Sequence, residues 1–179
     1  MKFIANMIDA LNERVGRAAI WLVLLSALVS AGNASVRYLF GMSSNGMLEI
    51  QWYMFSLIFL LCAGYTLKHD GHVRIDVIYG RLSKRAQAVI DILGALLFLL
   101  PVSLFITKMS WDMALLSFQI NEGSPDPGGL LRWPIKMAIP LGFALLSLQG
   151  ISEIIKKILF LLDRQPPAPA AEERQERIA

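Results

Sequence analysis

Few side chains in this sequence have a type and spacing that could do chemistry. His69, Asp70 and His72 stand together. Two histidines beside a carboxylate could begin a metal or haem site, but a haem-binding bundle needs histidines facing each other from inside two helices. These two are three apart in a polar connection, which reads as a solvated loop. Cys62 is the single cysteine and lies in an apolar run. It has no neighbouring base at a telling spacing, it is not a metal site, and one thiol cannot form an internal disulfide. No glycine-rich loop of the phosphate-cradling kind is present. The expectation is a protein that is not an enzyme and carries no cofactor or metal.

The remaining candidates are charges at the edges of apolar segments: Arg37, Glu49, Asp91, Lys108 and Glu153. Ionisable groups in membrane helices are functional suspects by default. All five fall within a turn or two of a segment's end. A proton- or ion-coupled carrier needs such groups near the midplane, so the pattern speaks against a transport path through this chain alone. Arg37 closes one apolar segment and Glu49 opens the next. The pair is expected to tie helices together or to grip a partner subunit; separate contacts with headgroups are the alternative. Arg74 and Asp76 are expected to pair structurally.

The elements that must position these residues are membrane helices. Apolar residues make up 55% of the 179 and charged residues 17%, against roughly 25% charged in soluble domains. A spanning helix needs about 20 mainly apolar residues, and four stretches qualify, at about 18–39, 48–67, 86–107 and 135–155. The fold class is therefore an all-α integral membrane protein with four transmembrane helices. A segment 1–17 precedes the membrane domain 18–162, and a proline- and alanine-rich tail, 163–179, is too polar to build a core and reads as disordered. A cleaved signal peptide ending near Gly32-Asn33-Ala34 is the alternative for the first span. The long leading region with Asp9 and Glu13 speaks against it.

Within the spans, Ala27, Ala31 and Ser35 recur every four residues, a spacing that lets helix backbones approach in lipid. Pro101 should kink the third span or free a carbonyl. The segment 108–120 continues it as an amphipathic stretch, and Pro134 suits the first turn of the fourth span. Between the second and third spans, Ile75, Ile78 and Leu82 fall at helical spacing among basic residues, which predicts an amphipathic helix on the membrane surface. Arg74, Arg81, Lys84 and Arg85 would anchor it to anionic headgroups. Trp52, Trp111 and Trp133 would anchor the opposite face.

Orientation follows from basic residues near span ends. Lys2, Arg14 and Arg17 precede the first span, none occurs in 40–47, five lie in 68–85, and the C-terminal side is again basic. That alternation places both termini and the middle connection in the cytoplasm. The net charge of +3 is spread along membrane boundaries and forms no dense patch for nucleic acid.

Four features together resemble a known family. They are N-x-x-x-R-Y-x-F at Asn33, Arg37, Tyr38 and Phe40; Glu49 followed by Trp52; GHVRIDVIYGRLSKR from Gly71; and EGSPDPGGLLRWPIKMAIPLGF followed by LLSLQGISE. Over about residues 14–157 the chain resembles the small membrane subunit of tripartite ATP-independent periplasmic (TRAP) transporters, the DctQ type. The last piece resembles the mannitol and chloroaromatic-acid branch. The resemblance implies a bacterial inner-membrane subunit that partners a large DctM-type permease and a periplasmic DctP-type binding protein. It implies a fixed, non-conducting scaffold in ion-gradient-driven uptake of organic acids, surrounded by membrane lipids and binding no nucleic acid. Two other readings stand beside it: a self-sufficient dimeric exporter relying on Glu49, and a membrane anchor of a redox complex.

Overall fold

The computed structural model describes residues 1–42, 44–72 and 79–162. Among them are four helices long and apolar enough to cross a membrane. Helix α1 is Lys2–Phe40 and α2 is Asn45–Lys68. Helix α3 is Lys84–Gln119, and α4 is Trp133–Leu162. Residues 73–78 lie outside the described residues, and with them Arg74, Asp76 and most of the expected surface helix. The tail from 163 onward lies outside them as well.

Helix α1 has 39 residues because nothing in residues 2–17 breaks it. The leading segment and the first apolar stretch are one helix. It stops at Gly41, whose φ of 63° lets the chain turn left-handed while its N–H caps the Arg37 carbonyl. Helix α3 begins at Ser83, whose Oγ accepts from the Ala86 N–H. It then runs past the expected end at 107 through the whole amphipathic stretch to Gln119.

Pro101 does not break α3. A π turn over Ala95–Leu99 precedes it, and the Leu100 N–H donates to the Ala95 carbonyl five residues back. Proline lacks an N–H and crowds the carbonyl four residues behind it. One widened turn relieves that crowding while the helix continues. In α4, Pro134 sits in the first turn as its position suggests, and Pro140 is accommodated inside the helix.

Helices α1, α2 and α4 pack on one another, and α3 packs on the other side of α4. Tyr53, Ile135 and Ala138 form the apolar core of the α2–α4 contact, with Leu57, Leu60 and Leu130 around them. The closest approaches occur at glycines. A Cβ on Gly142 of α4 would lie 2.7 Å from the Leu60 carbonyl oxygen, and one on Gly64 of α2 would lie 2.2 Å from the Asn12 amide oxygen. The Ala27–Ala31–Ser35 stripe is not used this way: all three are exposed, and Ser35 returns its hydroxyl to the Ala31 carbonyl. Between α3 and α4 the buried Ser147 hydroxyl donates to Ser103 Oγ at 2.8 Å.

The first residues of α1 lie against the last turns of α4, so these ends share one side of the molecule, the terminal end. The start of α2, at Asn45, and the 120–132 connection lie together at the other, the loop end.

Candidate functional site

The connection 120–132 carries two prolines and three glycines, so its own backbone cannot continue either neighbouring helix. It closes on itself. The Arg132 N–H donates to the Glu122 carbonyl at 2.8 Å and the Ser124 N–H to the Leu130 carbonyl at 3.0 Å. Gly123 and Leu131 form an antiparallel bridge, and Gly128 supplies the left-handed turn with φ 74°.

The first turns of α2 hold this loop. Glu49 is 3 % exposed. Its Oε2 accepts from the Leu130 N–H at 2.6 Å, and its Oε1 accepts from the Ser124 hydroxyl. The Arg132 guanidinium stands 3.5 Å from Oε1. Asn45 donates to the Pro127 carbonyl at 3.0 Å and Tyr53 to the Leu131 carbonyl at 2.9 Å. These three residues lie at i, i+4 and i+8 on one face of α2, so a single helical stripe grips both strands of the loop. A carboxylate this enclosed is held by charge-assisted hydrogen bonds. It acts as a clasp, with no open oxygen for a substrate.

Arg132 completes the arrangement. Its guanidinium also donates to Ser124 Oγ at 3.3 Å and lies 5.1 Å from the centre of the Trp52 ring, within cation–π range. Below it, Lys136 pairs with Glu122. That ammonium, more than any other neighbour, holds the Glu122 carboxyl below its ordinary pKa.

A second set of polar contacts ties the terminal end. Gln149, Asn12 and Ser152 are fully buried. Asn12 donates to Gln149 Oε1 at 3.0 Å, Gln149 donates to Asp9 Oδ1 at 2.9 Å, and Ser152 donates to the same oxygen at 2.7 Å. Lys156 pairs with Asp9 at 3.0 Å. One turn further along α1, Glu13 pairs with Lys68 at 2.7 Å and meets His69 at 2.9 Å. Lys157 pairs with Asp91 of α3 at 2.9 Å. Among the described residues no three His, Cys, Asp or Glu side chains gather to hold a metal.

The expected Arg37–Glu49 pair is corrected by this geometry. Glu49 points into the 120–132 loop and takes Arg132 as its cation, while Arg37 stays exposed and makes no ion pair among the described residues. Proximity in sequence suggested Arg37, but the contacts of Glu49 all come from the 120–132 loop. Trp52 lies under Arg132, Trp111 is exposed on α3, and Trp133 packs edge-on against Phe118 at 5.1 Å. Arg81, Lys84 and Arg85 are exposed near the start of α3. Arg74 and Asp76 lie outside the described residues. Asn12, Ser124 and Gln149 were not singled out in the sequence, and Asp9 was read only as a charge ahead of the first span. Gln149 and Asn12 carried the available signal, an amide inside an otherwise apolar helical face.

Comparison with known proteins agrees with this architecture. Residues 26–160 match the family described as "Tripartite ATP-independent periplasmic transporters, DctQ component". The chain is 27% identical over 107 residues to the C4-dicarboxylate TRAP transporter small permease protein DctQ of Pseudomonas aeruginosa, covering 59% of this chain and 50% of that protein. It thus spans about half the length of this curated relative. With the family match extending over most of the described helices, the chain belongs to the DctQ-component family of tripartite ATP-independent periplasmic transporters.

Proposed function

We propose that this chain is the non-conducting small permease subunit of a TRAP transporter in a bacterial inner membrane. In this reading it associates with a large permease subunit and supports docking of a periplasmic binding protein, in ion-gradient-driven uptake of organic acids. Both termini face the cytoplasm, and the loop end with its Glu49 clasp faces the periplasm. The resemblance of the 122–153 segment favours the mannitol and chloroaromatic-acid branch within the family. The chain performs no catalysis of its own.

One observation carries this reading: the ionisable side chains keep to the two ends of the helices. No Asp, Glu, Lys or Arg occurs in 18–36, 50–67, 92–107 or 137–152. Moving such a group to the bilayer centre costs about 2.5–3.5 kcal/mol on insertion scales. Charged clasps at both ends therefore resist displacement along the membrane normal. That suits a stationary support beside a moving domain, and it leaves no midplane group to bind a coupling ion.

The test is reconstitution. Vesicles containing this chain alone should show no gradient-driven uptake of an organic acid. Vesicles containing it with its large permease and binding protein should show uptake, and the large permease without this chain should lose it. Flux through the chain alone would overturn the assignment.

A further inference from the structure

Between α3 and α4 runs a groove of about 850 Å³, with Leu67 of α2 at one edge. It exists because α2 and α3 both pack on α4 and not closely on each other. Small residues deepen it: Gly94 and Ala95 on α3 and Gly150 on α4. At Gly94 an added Cβ would meet no described atom within 4 Å. The π turn Ala95–Leu99 forms part of the same wall, and such turns often accompany binding sites.

The groove is amphipathic along its length. Phe98, Leu99 and Val102 of α3 and Phe143 and Leu146 of α4 line its deep part. Asp70, Tyr79, Asp91, Glu153 and Lys157 gather at the terminal end. There Lys157 pairs with Asp91 at 2.9 Å, and the Tyr79 hydroxyl donates to Asp91 at 2.8 Å. From Phe143 to Lys157 is about 21 Å along α4 at 1.5 Å per residue. The hydrocarbon of one leaflet is about 15 Å deep, half of a core of about 30 Å. The groove therefore reaches from the headgroup layer to the bilayer centre, which is the path of one acyl chain. Spread over that length, its volume gives a mean cross-section of about 40 Å², about half that of a helix 10 Å across. That is narrow for a helix and sufficient for extended hydrocarbon.

We propose that this groove holds an acyl chain of a phospholipid whose headgroup carries a primary ammonium. Its phosphate meets Lys157, and its ammonium meets Asp91 and Glu153. Charge selects the headgroup: three carboxylates and one lysine line that end. An anionic headgroup would face mostly like charge, whereas a zwitterion offers its cation to the carboxylates and its phosphate to the lysine. A quaternary ammonium has no N–H to donate. The proposal requires only that the chain spans a bilayer, so it stands apart from the subunit role proposed above.

The experiment reconstitutes the full-length chain in vesicles of equal phosphatidylethanolamine and phosphatidylglycerol, extracts it in mild detergent and reads bound lipid by native mass spectrometry. Phosphatidylethanolamine should stay bound, favoured over phosphatidylglycerol by roughly tenfold, the effect of one hydrogen bond between charged groups. Gly94→Leu fills the groove where space is open and should reduce that retention severalfold. Gly32→Leu, at an equally open glycine on α1, should leave it unchanged. Asp91→Asn should lower the headgroup preference with the acyl chain still held. A photo-reactive residue in place of Phe98 should label phospholipid. Equal retention by Gly94→Leu and the unaltered chain, or no preference for phosphatidylethanolamine, would overturn the proposal. So would a label on a second polypeptide, or on this chain's own residues, in place of lipid.

Discussion

Glu49 accepts a 2.6 Å hydrogen bond from the backbone N–H of Leu130, 81 residues further along the chain. That bond sets the position of the 120–132 loop relative to α2, because the other oxygen of the same carboxylate takes the Ser124 hydroxyl on the opposite strand. One side chain thus closes both strands onto one helix.

Glu49→Leu should release the loop while leaving the helices in place. Protease cleavage within 123–131 should accelerate on the order of tenfold, as expected for loss of a charge-assisted bond to a buried backbone donor. Glu49→Gln keeps one acceptor and should accelerate cleavage less. Limited proteolysis read by mass spectrometry checks both. Equal cleavage of all three proteins would remove the clasp role.

Acid should loosen the same loop through a different carboxylate. Lys136 holds the Glu122 carboxyl below its ordinary value. A depressed carboxylate contributes stability that is present above the ordinary glutamate pKa, and that fades as pH falls through the lowered value. Exchange of the Arg132 amide, which donates to the Glu122 carbonyl, should therefore be protected at neutral pH and lose protection below the ordinary glutamate range. Lys136→Met should move that loss to higher pH. Hydrogen exchange measured across the acid range decides it.

The Asn12–Gln149–Asp9 chain gives the terminal end its register. Gln149 is wholly buried and serves both neighbours. Gln149→Leu should destabilise the protein by about 1–3 kcal/mol, the usual consequence of stranding buried polar partners. Asn12→Leu combined with Gln149→Leu should cost less than the sum of the two, since contacting residues couple. Thermal unfolding in detergent, followed by circular dichroism, provides the comparison.

Two glycines should respond oppositely to alanine. At Gly142 the added methyl would meet the Leu60 backbone carbonyl, which cannot swing aside. Gly142→Ala should cost about 1–3 kcal/mol through overpacking. At Gly94 nothing lies within 4 Å, so Gly94→Ala should be neutral or stabilise by up to about 1 kcal/mol. The melting temperature should fall for Gly142→Ala and hold or rise for Gly94→Ala.

Much of this architecture was legible in the residues. Apolar runs of spanning length marked four helices, and Pro134 marked the start of the last. The extent of α1 was not legible, because residues 2–17 are polar enough to read as a separate segment although nothing in them stops a helix. Pro101 signalled a disturbance without its form, since a kink and a π turn both relieve the same clash. The Glu49 partner was hidden for another reason. Its bonds go to a backbone N–H and a serine in an irregular loop, and only the folded loop brings Arg132 to it.

Helix α1 contains no proline and runs unbroken through 39 residues, about 58 Å at 1.5 Å per residue. It comes closest to α2 where Gly64 admits Asn12, nearer its first residues than its last. A lateral force applied at Arg37 is then transmitted along a stiff lever to Asp9 and Glu13, with no joint to absorb it. A tilt imposed at one end of α1 is therefore a tilt at the other as well.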